Sequence, residues 1–120
     1  MSKAHVQRLT DLPLEVMNPL LSRRALHSAH TTLAQIFLKK GCIVPRHSHE
    51  NEQLAYVSTG RLLFRLGENL EQEVILEPGD VLVIPPHLPH MAEALEDTLD
   101  LDIFAPKRQD WLEGDDSYLR

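Results

Sequence analysis

Seven histidines occur in 120 residues, and four of them fall in two short stretches, His47-Ser48-His49 and His87-Leu88-Pro89-His90. Imidazole is a common ligand of first-row divalent metals, and two histidines one residue apart on a strand present their rings to the same side. A third from a second strand completes three adjacent coordination positions. His47, His49 and either His87 or His90 therefore form a candidate metal triad. His5, His27 and His30 stand alone and are read as solvated or hydrogen-bonded side chains. A further ligand can come from Glu50, Glu52 or Gln53. If one strand runs through the region, Gln53 shares a face with His47 and His49 while both glutamates point away. Strand parity thus favours Gln53, unless a loop at Ser48-His49-Glu50-Asn51 resets it.

The elements that must position these residues read as short strands. The stretches 31–40, 53–60, 61–67, 72–80, 81–86 and 99–104 are rich in Val, Ile, Leu, Phe and Thr, and Gly41, Gly60, Gly67 and Gly79 fall at the breaks. Helical periodicity is weak. The stretches 11–21 and 110–120 suggest a short helix or an irregular edge each. The chain reads as one all-β sandwich or small barrel, residues 1–120, with a core over about 31–106 and short N- and C-terminal extensions.

Composition narrows the partners. The apolar share is 42% and the charged share 25%, as in an ordinary globular protein. A net charge of −6 and scattered Lys and Arg argue against a nucleic-acid partner, which calls for a clustered basic surface. No apolar stretch is long enough to span a bilayer, and the first residues show no export signal. Cys42 is the single cysteine, compatible with a reducing cytoplasm, which is the expected location.

The spacing also matches a family. Gly41, five residues, His47-Ser48-His49, three residues, Gln53, six residues and Gly60 resemble the first cupin motif, with Gln where Glu is usual. Gly79, five residues, Pro85, one residue, His87, two residues and His90 resemble the second, with His87 where Gly is usual and Ala94 where Asn is usual. The resemblance implies a cupin double-stranded β-helix, a jelly-roll barrel, holding a divalent transition metal on His47, His49, Gln53 and His90. Mn, Fe, Co, Ni and Zn all suit this ligand set. His87 then belongs to the pocket rim, to the groups behind the ligands or to a simple turn between Pro85-Pro86 and Leu88-Pro89, and the turn is the favoured expectation. A neutral amide in place of a carboxylate leaves the charge of the cation uncompensated and favours a small anionic substrate.

Within the cupins, residues 99–120 together with 46–60 resemble the KdgF family, whose members convert 4,5-unsaturated monouronates from pectin or alginate to linear keto forms. The positions that match its functional residues are Asp102, Phe104 and Arg108. In 99–104 the apolar Leu99, Leu101 and Ile103 alternate with Asp100, Asp102 and Phe104, so Asp102 faces the barrel interior if the apolar face packs elsewhere. The expected roles are proton transfer for Asp102, a bidentate hold on the substrate carboxylate for Arg108 and an apolar wall for Phe104. From the residues alone, an ordinary Asp102–Arg108 ion pair is the better expectation. Two other readings stand beside this isomerase: a non-haem iron dioxygenase, and a non-catalytic binder of an acidic small molecule. A homodimer is expected from the apolar outer residues of a small barrel.

Overall fold

The computed structural model describes residues 3–120. Ten strands run in chain order: β1 (Glu15–Asn18), β2 (Leu21–His27), β3 (Thr32–Leu38), β4 (Ile43–His47), β5 (Glu52–Thr59), β6 (Leu62–Leu66), β7 (Gln72–Leu76), β8 (Val81–Ile84), β9 (His90–Ala94) and β10 (Thr98–Ala105). They form a six-stranded sheet ordered β1-β2-β3-β10-β5-β8 and a four-stranded sheet ordered β4-β9-β6-β7. Every pairing between them is antiparallel. This is the all-β sandwich that the strand pattern implies, in the jelly-roll arrangement that the cupin resemblance implies. Among the described residues no helix is long and apolar enough to cross a membrane.

Alternation places the core. On β3, Thr32, Ala34, Ile36 and Leu38 are buried, and on β5, Gln53, Ala55 and Val57 are buried between more exposed neighbours. Phe64, Leu66, Ala92 and Ala94 face them from the other sheet. Period-two burial on two facing sheets is what a sandwich core requires. Gly60, with φ of +93°, closes the turn into β6, where an added Cβ would collide with Asp97 O and Thr98 Cα. No other residue fits there.

Four strands, β1, β2, β4 and β9, lie outside the stretches that the sequence pattern marks as strands. Residues 11–21 form the end of a 3-10 turn, Leu9–Asp11, and then the edge strand β1, in place of a short helix. β2 carries Arg23 and Arg24, and Arg23 is 4% exposed. Its Nη2 donates to Asp116 at 2.6 Å and to Glu15 at 3.0 Å, and its guanidinium lies 4.2 Å from the centre of the Trp111 ring. β4 holds a proline and two polar residues in five, which hides its strand character.

After β10 the chain folds back across one end of the barrel through α1 (Gln109–Leu112) and a 3-10 turn, Ser117–Leu119. Trp111 and Leu119 join the core. Asn18 Nδ2 donates to Leu119 O at 2.9 Å, and Asp116 pairs with both Arg23 and Arg120. The closing segment is therefore tied to β1 and β2, which explains why both strands extend the six-stranded sheet.

Candidate metal centre

His47 ends β4 and His90 begins β9, and the two are direct cross-strand partners. Cross-strand neighbours have Cβ atoms about 5 Å apart, so both imidazoles reach one point. His49 arrives from the loop between β4 and β5. That loop is held by Asn51, whose buried Nδ2 donates to Pro106 O at 2.6 Å and Lys107 O at 3.1 Å, and by His87, whose N–H donates to His49 O at 2.7 Å. The result brings one ligand atom from each of His47, His49 and His90 within 4.8 Å of one another.

The orientation of each ring suits a cation. His47 Nδ1 lies 2.8 Å from Pro45 O, His49 Nδ1 3.0 Å from Asn51 O and His90 Nδ1 2.8 Å from Leu88 O. A ring whose Nδ1–H donates to a carbonyl carries its lone pair on Nε2, the tautomer a metal ligand needs. Burial, reinforced by the neighbouring His90, pushes His47 down to about 3, and burial with the Arg108 charge pushes His49 down to about 4. Burial lowers His90 as well. All three are neutral at physiological pH.

Gln53 stands where parity puts it, although the strand does not run through. β4 and β5 belong to different sheets, and 48–51 is the loop that could have reset the parity. Gln53 Oε1 lies 3.1 Å from His49 Nε2, and its Nε2 donates to Asp102 Oδ1 at 3.0 Å. With His49 donating through Nδ1, Nε2 and Oε1 are two acceptors face to face. They repel unless a cation lies between them, so the donor set fits a divalent metal ion on His47, His49, His90 and Gln53. Glu50 and Glu52 are exposed. His87 is exposed with φ of 67°, the left-handed conformation that favours glycine, and its side chain stays out of the triad.

β10 supplies the acidic side of the cavity. Asp100, Asp102 and Phe104 are buried and face the barrel, whereas Leu99, Leu101 and Ile103 face outward. Burial raises both carboxyls above their usual range, and each lies beside the other. Asp102 also accepts from Gln53, whereas Asp100 Oδ1 has no partner. Because the folded-state pKa of Asp100 exceeds its unfolded value near 3.8, its share of native stability is greatest below that pH and is lost as pH rises through the folded value. Metal-free Asp100→Asn is thus expected to be more stable at pH 7 by about 1–2 kcal/mol, a rise in Tm of roughly 4–8 °C. In thermal melts across pH, the gain should shrink toward zero below pH ~4; a constant gap, or none, would contradict the assignment.

Arg108 and Asp102 do not pair. The Arg108 guanidinium, 1% exposed, grips Asp110 through Nε at 3.0 Å and Nη2 at 2.8 Å, and Nη2 also reaches the Tyr118 hydroxyl at 2.8 Å. It lies over the rings of Phe104 and Trp111, 4.7 and 4.5 Å from their centres. Asp110 therefore closes the Nε–Nη2 edge to a substrate. Arg108, Asp102, Gln53, His47, His90 and Tyr118 line one cavity.

The cupin domain model matches residues 35–105. The chain is a cupin. Its structure is similar to that of KdgF from Halomonas sp., with 30% identity, 85% of this chain and 94% of that chain covered, and a TM-score of 0.76. An RmlC-like cupin from Shewanella frigidimarina is 24% identical over 91% of this chain and 96% of its own, with a TM-score of 0.81. Oxalate decarboxylase of Bacillus subtilis shares the fold at 20% identity and a TM-score of 0.72, over 87% of this cupin and 31% of the larger chain. No protein of curated function matches the sequence. This small cupin thus resembles KdgF in sequence and in fold, and its three histidines fit a divalent metal.

Asn51, Asp100, Trp111 and Tyr118 were not marked as site residues by the sequence. Asn51 sits inside the first motif spacing and could have been found as the polar residue that anchors a histidine-bearing loop. Tyr118 carries no local signal, because only the fold-back of the last residues brings it to the cavity.

Proposed function

We propose that this cupin is a metal-dependent isomerase that opens the ring of 4,5-unsaturated monouronates and delivers the linear keto form. The observation that carries the proposal is Asp102. It is a buried carboxyl with a raised pKa, joined through the Gln53 amide to the edge of a three-histidine cluster. The likeness to KdgF supports the same reading, as does the sequence resemblance by which Asp102, Phe104 and Arg108 fall at that family's functional positions.

The chemistry suits one such group. The hemiacetal loses its O1 proton, the C1–O5 bond breaks to give an aldehyde, and the enol left at C5–O5 becomes a ketone when C4 gains a proton. Atoms balance, since the proton leaving O1 is equivalent to the one arriving at C4. A carboxyl whose pKa lies above the ordinary range accepts and returns a proton near neutrality more readily than an exposed aspartate. A bound divalent ion supplies Lewis-acid stabilisation of anionic oxygen. Phe104 offers its ring as an apolar wall, meeting His49 edge-on at 5.6 Å. Arg108 lends its positive charge to the cavity, and Asp110 fixes its position.

Metal-loaded protein mixed with freshly prepared unsaturated uronate should remove the vinyl proton signal in NMR faster than buffer does. Loss at the buffer rate would sink the proposal. Oxygen uptake restricted to the iron-loaded form would assign oxygenase chemistry instead. We further propose a homodimer through the outer face of the six-stranded sheet. There Tyr56 pairs with Val81 across β5 and β8, and Val83 and Ile103 are exposed beside them. Val83→Glu is expected to shift sedimentation from dimer to monomer, and an unchanged coefficient would place the contact elsewhere.

A further inference from the structure

The Tyr118 hydroxyl has two neighbours, and both are donors: Arg108 Nη2 at 2.8 Å and Trp111 Nε1 at 3.2 Å. Neither guanidinium nor indole N–H can accept a hydrogen bond. A phenol ionises only near pH ~10, so the hydroxyl keeps its hydrogen, and no acceptor for it lies within hydrogen-bonding distance among the described residues. The ring cannot swing freely to find one. It stacks on His47 with centroids 4.3 Å apart and planes 25° from parallel. Its turn is pinned by Asn18 to Leu119 O and by Arg23 to Asp116. Tyr118 lines the cavity that Gln53, Asp102 and His90 also line.

We infer that the Tyr118 O–H is a carboxylate-binding donor of this cavity, through which the buried Arg108 acts on an anionic ligand. The inference rests on the reading above that the cavity takes an acidic sugar, and it deepens that reading. Donation from Arg108 Nη2–H into the phenolic oxygen polarises the O–H bond, so a neutral group delivers part of the guanidinium charge. This resolves the conflict at Arg108. Its Nε–Nη2 edge belongs to Asp110, the remaining Nη2 hydrogen goes to Tyr118, and the donor this pair presents to a ligand carboxylate is the tyrosine hydroxyl. Trp111 adds the second donor and fixes the direction.

The test uses metal-loaded protein and two non-reacting probes, D-galacturonate and acetate, with binding read by calorimetry. Tyr118→Phe keeps the ring on His47 and removes one donor. Expected is a weakening of carboxylate binding by about 10- to 100-fold, the size of one hydrogen bond to a charged acceptor, with metal stoichiometry and metal affinity unchanged. A merely structural tyrosine would instead move Tm and metal affinity. Tyr118→Phe binding both probes as the wild type does would overturn the inference, as would a wild type that binds neither. Tyr118-dependent galacturonate binding without turnover of the unsaturated uronate would leave the inference standing and sink the isomerase reading alone.

Discussion

Asp102→Asn in the metal-loaded protein is expected to slow ring opening of unsaturated uronate by about 10²- to 10⁴-fold, the usual worth of a positioned acid-base group, with metal content unchanged. Asn keeps an acceptor for the Gln53 amide that bonds Asp102 at 3.0 Å, so the links from β10 to Gln53 and from Gln53 to His49 survive. What disappears is a group that can take a proton from O1 and return one to C4. The acidic limb that Asp102 contributes to the wild-type rate profile should vanish in the variant. Proton NMR rates paired with elemental analysis check both statements. A rate within about threefold of wild type would remove Asp102 from the mechanism.

That Asp102 could be singled out at all follows from the strictness of strand alternation. β10 reads Leu-Asp-Leu-Asp-Ile-Phe, and a period of two leaves one choice: either the leucines or the aspartates face the core. Hydrophobic burial alone selects the leucines. The structure does the opposite: Asp100, Asp102 and Phe104 face the barrel, and Leu99, Leu101 and Ile103 lie on the outer face. Inside, a carboxyl is tolerated where it meets Gln53 and the histidine cluster. The inversion was legible only once the motif spacing had placed a cation site in the barrel.

The ligand positions were legible for a related reason. His47, His49 and His90 come to one point because β4 and β9 are partners and the loop from 48 to 51 is short, and both facts are encoded in fixed residue spacings. Gln53 faces inward as strand parity predicts, although no continuous strand joins it to His47. The chain changes sheets after His47, and the bend at Glu50 and Asn51 leads into β5 with Gln53 buried. By contrast, β2 and the segment around Tyr118 were not legible. Arg23 is buried because Asp116, 93 residues later, neutralises it and Trp111 stacks on it. No window of sequence around Arg23 contains that information. The same long-range contact carries Tyr118 to His47, so the missed strand and the missed site residue have one cause.

His90→Ala is expected to lower divalent-metal affinity by more than about 100-fold, since replacing a group that only supports a ligand already costs 10- to 100-fold. His90 is the ligand whose loss the fold can least repair. It is buried, pairs across the sheet with His47 and sits edge-on to it at 4.2 Å between ring centres. The three imidazoles also set how the centre responds to acid. A free histidine takes a proton near pH ~6.5 and then cannot bind metal. Here burial lowers His47 to about 3 and His49 to about 4. A depressed folded-state pKa contributes stability that is present above the unfolded value and lost as pH falls through the folded one. Wild-type protein should therefore hold its metal down to pH ~5, and in the metal-free form the histidines' share of stability should be lost between pH ~6.5 and ~3 while Asp100 contributes in the opposite direction, so the loss should be steeper in metal-free Asp100→Asn. Metal release followed by elemental analysis after stepwise dialysis tests the first, and melts of the metal-free protein the second. Release centred near pH ~6.5 would mean that the rings are free to protonate, and that the carbonyls of Pro45, Asn51 and Leu88 do not hold the lone pairs on Nε2.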